Sequence, residues 1–300
     1  MRKIMVLGGS CGGHIAVRIA RLGDYELGDI EVRKFPDGET YIRLVSNVAD
    51  KDVVYVNSIA KDVNDLLIET LFTLETLKEL GAKKVYAVIP YFPYARQDER
   101  FNPGEVVSFN VVARMLERAG IDEVWTIDLH LHRVGDISKL FKIPARNLTA
   151  VKELCAYMKE IYRLEKPFII GPDEEAEQWA RVASEYFDSE YDVLEKQRLS
   201  AEEVVVKPKH IRDFKGRDVL IIDDIISTGG TIVEAVKVIK NMNAGDIYVA
   251  VTHALLVKNA LTKILKAGVK DVVSTDTVLS PTSRVTVAPL IARELSKIGE

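Results

Sequence analysis

The feature that most constrains this chain is an alternation. Short, nearly unbroken apolar runs at residues 4–7, 53–56, 85–89, 124–127, 168–170, 219–222 and 247–251 are separated by longer stretches. Those stretches, residues 65–80, 106–119, 150–161, 176–186, 231–242 and 259–267, carry apolar residues at helical spacing. Leu80-Gly81, Ala119-Gly120 and Ala267-Gly268 read as helix stops. Strands apolar at every position have both faces covered. The pattern therefore predicts an α/β fold of parallel sheets flanked by helices.

The pattern also repeats. Asp52-Val-Val-Tyr-Val56, a helix ending at Gly81 and Val85-Tyr-Ala-Val88 match Asp218-Val-Leu-Ile-Ile222, a helix ending near Gly245 and Ile247-Tyr-Val-Ala250. Leu7-Gly8 before Arg18 lines up with Ile170-Gly171 before Arg181. The expectation is two copies of one lobe, and 300 residues suit two domains. The expected division is residues 1–145, residues 146–284, and a terminal segment 285–300 packing back on the first lobe.

Charge narrows the partners. A formal net charge of -4 and no basic tract give no reason to expect nucleic acid, so a phosphate-rich ligand needs local cations. The first apolar run stops at Gly8-Gly9-Ser10, too early for a secretory segment, and no apolar stretch is long enough to span a bilayer. Cys11 and Cys155 form neither a metal motif nor a disulfide framework. A cytoplasmic protein is expected. Only three glutamines (Gln97, Gln178, Gln197) hint at a thermophilic source.

The most specific chemistry lies at Val219-Leu-Ile-Ile-Asp-Asp-Ile-Ile-Ser-Thr-Gly-Gly-Thr231. A buried strand is expected to end at Ile222, with Asp223 and Asp224 at its carboxyl end. A tight run, Ser227, Thr228, Gly229, Gly230 and Thr231, then opens a helix. Ligands of open parallel sheets bind outside such strand ends. Backbone N–H groups, hydroxyls and a helix N-terminus suit a monoester phosphate. The two carboxylates would repel that phosphate in contact with it, so they suit a sugar diol or serve as indirect metal partners. The run lacks the Gly-Lys-Ser/Thr ending of a nucleotide P-loop.

This run resembles the phosphoribosyl-diphosphate-binding motif of type I phosphoribosyltransferases and of ribose-phosphate pyrophosphokinases. The loop alone fits an enzyme that consumes the sugar diphosphate as well as one that makes it. The first lobe decides, and two further sites in the second lobe agree. Phe35-Pro-Asp-Gly-Glu39, Pro90-Tyr-Phe-Pro-Tyr-Ala-Arg-Gln-Asp98 with Phe101-Asn-Pro-Gly-Glu105, Thr126-Ile-Asp-Leu-His130, and Gly171-Pro-Asp173 with Glu195-Lys-Gln-Arg198 resemble the pyrophosphokinases, in order, along essentially the whole chain. The short length and the form of the glycine run look most like archaeal members. A transferase alone leaves Arg96, His130 and the duplication unexplained, and a non-catalytic homologue would be expected to lose flap or metal residues.

The resemblance implies two phosphoribosyltransferase-type lobes and transfer of diphosphate from ATP to ribose 5-phosphate with Mg2+. By it, Asp37, Gly38, Glu39, Arg96 and Gln97 bind ATP. Asp223 and Asp224 hold the ribose hydroxyls, and residues 227–231 hold the 5-phosphate. His130 and Asp173 bind metal. Lys196 neutralises the transferring phosphate and Arg198 clamps sugar phosphate, on a flap over residues 194–201. Plainer readings compete: Pro36-Asp37-Gly38 is a good turn, Asp173 is a good helix N-cap, and His132 matches no family ligand. Glu175 stands where the family commonly has a small residue, unwelcome near phosphate unless it points outward. The family assembles, which implies a homodimer or larger homo-oligomer.

Overall fold

The computed structural model describes residues 3–100, 102–130, 136–198, 204–211 and 213–298, and the side chains of 196–198 and 204–206 lie outside the description. Phe101 and His132 fall outside it. Two units divide the chain: Met1–Leu148 with Thr286–Glu300, and Thr149–Val285.

The first unit runs β1 (Ile4–Gly8), α1 (Gly13–Gly23), β2 (Glu26–Leu27), β3 (Ile30–Lys34), β4 (Thr40–Leu44), β5 (Asp52–Val56), α2 (Val63–Glu79), β6 (Lys84–Val88), α3 (Ser108–Arg118), β7 (Glu123–Ile127) and β8 (Ala145–Leu148). Its sheet has the order β2-β1-β5-β6-β7-β8 and is parallel throughout. Every residue of β5 and of β7 is buried, as two covered faces require. β3 and β4 form a separate antiparallel hairpin.

The second unit runs α4 (Val151–Tyr162), β9 (Phe168–Gly171), α5 (Glu177–Phe187), β10 (Tyr191–Arg198), β11 (Val204–Pro208), β12 (Val219–Ile226), α6 (Gly230–Lys240), β13 (Ile247–Ala254), α7 (Ala260–Ala267), β14 (Asp271–Thr275) and β15 (Ser283–Val285). Its sheet order is β11-β10-β9-β12-β13-β14-β15, parallel except for the antiparallel β10–β11 pair. Side chains alternate across it. Leu220 and Ile222 pack with Trp179 and Ala180 of α5, while Val219 and Ile221 pack with Val236 and Ile239 of α6.

The duplication is visible in the strand order. Without β11, the second sheet reads β10-β9-β12-β13-β14-β15, position for position the order of the first. The last helix, α8 (Ala288–Ser296), belongs to the first unit and packs on α1, as α4 packs on α5. The chain thus supplies the same helix from its end in one unit and from its beginning in the other.

Two strand ends differ from the sequence expectation. β12 continues through both aspartates to Ile226, laddered to β13 by Ile225↔His253 and Ile226↔Ala254. β7 stops at Ile127, because Asp128 adopts a left-handed φ of 40° that breaks the pleat.

Ile291 of α8 is fully buried. Ile291→Ala should destabilise the first unit by about 2–4 kcal/mol, read from its urea or thermal unfolding transition.

Candidate active site

In the second unit, β9 pairs with β12 only as far as Ile170↔Ile221, whereas the β13 ladder continues to Ala254. From Ile222 onward β12 is laddered on one side only, and the chain leaving β9 turns away through Pro172 and Asp173. Asp223 and Asp224 are buried there, Asp224 only 1% exposed, and the Asp224 N–H donates to Asp223 Oδ1 at 2.9 Å. Burial, then the neighbouring charges of Asp224 and Asp173, raise the Asp223 carboxyl well above the ordinary carboxylate range. Asp173 thus bears electrostatically on the aspartate pair at this strand end.

The run after β12 is a tight turn into α6. Gly229 sits at φ 78°, and a Cβ there would meet Ala260 and Ile264 of α7 at 3.2 and 3.1 Å, so glycine is needed for backbone shape and for close packing. Among the described residues no side chain caps α6, and its first turn contains no acidic residue. Its leading N–H groups are therefore open to an anion. Ser227 is half-buried, while Thr228 and Gly230 are exposed.

Asp173 takes the helix-cap role: its side chain accepts from the Ala176 N–H at 3.2 Å, ahead of the short 3-10 turn Glu174–Ala176. It still lies near enough to Asp223 to act on its charge. Glu175 is exposed, and its neighbour Glu174 faces Lys209 at 3.8 Å.

Lys196 and Arg198 were expected on a loop. Their backbone instead lies in β10, opposite Val206 and Val204 of β11, and residues 199–203 lie outside the described residues. β10 pairs with β9 only over Tyr191, Asp192 and Val193, so from Leu194 it runs as a two-stranded ribbon with β11. Asp192, missed in the sequence, anchors that ribbon's base. It is 2% exposed and accepts from Val193 N at 2.8 Å and from His210 N and Ile211 N at 2.7 Å. A lone acid between apolar residues gave no signal of these partners, two of which lie across the ribbon.

The first unit holds the other candidates. Asp37, Gly38 and Glu39 form the exposed tip of the β3–β4 hairpin, closed by Phe35 N to Glu39 O at 2.8 Å and by Glu39 N to Asp37 Oδ1 at 3.3 Å. Arg96 and Gln97 follow β6. Arg96 is exposed with no ion-pair partner among the described residues, and Gln97 Oε1 accepts from Ser108 Oγ at 3.2 Å. His130 does not end β7 but lies three residues beyond it, where the neighbouring Leu129 N–H is held by Asn147 Oδ1 at 2.9 Å.

Where the second unit has Asp223, the repeat places Asn57, and the surroundings are inverted. Glu69, 3% exposed, accepts through Oε1 from Ser10 N at 2.8 Å and from Tyr55 OH and Asn57 Nδ2, both at 3.2 Å. Asn57 Oδ1 in turn accepts from Cys11 N at 3.0 Å. One strand end centres on a carboxylate that collects donors, and the other sets two consecutive carboxylates side by side.

Comparison with known proteins decides the family. Residues 4–120 match the N-terminal domain of ribose phosphate pyrophosphokinase, and residues 139–285 match the phosphoribosyl transferase domain. The chain belongs to the ribose-phosphate pyrophosphokinase family. It is 42% identical to a ribose-phosphate pyrophosphokinase of Methanopyrus kandleri over 99% of this chain and 100% of that protein. It is 43% identical to one from Methanothermobacter thermautotrophicus over 96% of this chain and 98% of that protein. The crystal structure of phosphoribosylpyrophosphate synthetase from Mycobacterium smegmatis superposes with a TM-score of 0.86 at 28% identity, covering 99% of both chains. The archaeal look of the glycine run agrees with the first two relatives, and the two-lobe architecture agrees with the third.

Asp223→Asn should raise the thermal midpoint of the ligand-free protein. The folded-state pKa of Asp223 lies above its unfolded value, so the wild type loses stability as pH rises from the ordinary carboxylate range toward the raised value. The variant's advantage should be largest near neutral pH and fade toward the ordinary carboxylate range, as followed by calorimetry across pH.

Proposed function

We propose that this chain transfers the β,γ-diphosphate of ATP to the C1 hydroxyl of ribose 5-phosphate, yielding AMP and 5-phosphoribosyl 1-diphosphate. The observation that carries the proposal is the β12–α6 connection. It joins a buried pair of diol acceptors to an uncapped helix start, the two halves of a sugar-phosphate site on one strand, loop and helix. Family membership supplies the nucleotide half of the reaction.

In this reading Asp223 and Asp224 accept from the ribose hydroxyls, and Ser227, Thr228, Gly229, Gly230 and Thr231 hold the 5-phosphate. Asp37, Gly38 and Glu39 on the hairpin, with Arg96 and Gln97 after β6, bind ATP, Arg96 offering its planar fork to phosphate oxygens. The C1 oxygen bonds to the β-phosphorus as the bond from that phosphorus to the α-β bridging oxygen breaks. AMP leaves, and the C1 hydroxyl proton is lost. Lys196 and Arg198 meet the charge that develops.

Mg2+ fits the donor set. Among the described residues no three His, Cys, Asp or Glu side chains form a complete metal cage, and Mg2+ is characteristically held by one or two carboxylates with substrate phosphates and water. A hydrated divalent ion would add positive charge beside the carboxylates at the end of β12. When bound, Mg2+ neutralises phosphate charge on ATP. His130 is proposed to ligate the Mg2+ carried by ATP, an unusual donor for that ion, and Asp173 to hold a second metal directly or through water. The reading includes self-association into a homodimer or larger homo-oligomer and a cytoplasmic setting; among the described residues no helix is long and apolar enough to cross a membrane.

Incubated with ATP, Mg2+ and ribose 5-phosphate, the protein should release AMP rather than ADP. AMP release that persists without the sugar would refute the assignment. Lys196→Ala should cut turnover by about a hundredfold or more while leaving ribose 5-phosphate affinity within about twofold of wild type, checked by AMP assay and calorimetric titration.

A further inference from the structure

The phosphate run is not held by its own hydrogen bonds alone. Behind it lies the segment joining β13 to α7, Leu255 through Asn259. Leu256 N–H donates to Ile226 O at 3.1 Å, and Val257 N–H donates to Ser227 O at 2.9 Å. Immediately after the segment, Ala260 and Ile264 close on the bare Cα of Gly229. The last strand residue, the first residue of the turn and its left-handed glycine are thus all backed by one short stretch.

That stretch has an uncommon backbone. Leu256, Lys258 and Asn259 have φ of 51°, 53° and 60°, three left-handed non-glycine residues within four positions. Asparagine tolerates this region, but leucine does so at a cost, and a β-branched residue is a genuine outlier there. Such conformations persist where the surroundings over-determine them. The surroundings here are visible. Upstream, the Thr275 and Thr277 hydroxyls both donate to Thr252 O, at 2.6 and 2.9 Å. His253, 3% exposed, places Nδ1 2.8 Å from Thr277 Oγ1. The end of β13 is locked, and the chain must turn sharply at Leu256 to reach α7.

We propose that residues 255–259 are a brace that positions the phosphate run, and that Leu256 is a positioning residue acting through its left-handed backbone rather than its side chain. The brace sets where the Ser227 carbonyl and Gly229 sit, and so where the N–H groups ahead of α6 point. This rests on the sugar-phosphate reading of the β12–α6 connection, but not on catalysis.

The test separates backbone from packing. Leu256 is partly buried against the core of the second unit, so a purely structural role ranks variants by apolar volume, with Val better than Asn. A left-handed brace ranks them by tolerance of positive φ, with Asn better than Val. Leu256→Val and Leu256→Asn are made in the full chain, and ribose 5-phosphate affinity is measured by titration calorimetry beside thermal midpoints. Leu256→Val should weaken ribose 5-phosphate about tenfold, while Leu256→Asn stays within about threefold of wild type despite a lower midpoint. Affinity that follows volume, or that is unchanged in both, overturns the brace, as does wild-type protein that binds no ribose 5-phosphate. Intact binding without AMP release would sink the activity and leave this comparison standing.

Discussion

Asp223 and Asp224 are consecutive residues of one strand, buried under the carboxyl edge of its sheet, with Asp173 adding a third negative charge nearby. Nothing in apolar packing favours this. Burying ionised carboxylates costs several kcal/mol unless they find partners, and placing them side by side raises the cost. The strand tolerates them because it is laddered to β13 on both sides of Asp224, up to Ile226, and flanked by a buried core, so the local cost is carried by a large cooperative unit. A ligand that brings hydroxyl donors and positive charge to this edge removes the cost.

The two units show what such a strand end does with and without an internal partner. At the matching place in the first unit, Asn57 replaces an aspartate, and the Glu69 carboxylate collects a backbone N–H, a phenol and an amide. That edge is closed by the chain itself. The first unit adds the exposed β3–β4 tip and, after β6, an exposed Arg96 with no ion-pair partner among the described residues. One fold used twice thus provides a closed, structural edge and an open, charged one.

Most of the architecture was legible in the sequence because strands covered on both faces have no polar positions to confuse the reading, and β5, β7 and β13 are of that kind. The glycine run was legible because its spacing is chemical as well as structural. Errors arose where tertiary partners override local pattern. Asp223 and Asp224 read as a strand end because acids rarely continue a buried strand, yet the β13 ladder carries it on. The charged stretch through Arg198 read as a loop, although valines of β11 sit opposite it. The half-exposed β3–β4 hairpin left only its turn visible. Glu69 and Asp192 left no mark, since a single acid does not reveal donors that the fold brings from 59 and 19 residues away.

The central claim is that the edge of β12 is built for a phosphorylated pentose. A crystal structure with ribose 5-phosphate and Mg2+ tests it most directly. The account predicts the phosphate on the N–H groups of residues 227–231 and the ribose diol on the carboxylates of Asp223 and Asp224. A phosphate seated elsewhere, with both aspartates still in contact only with protein, would contradict it.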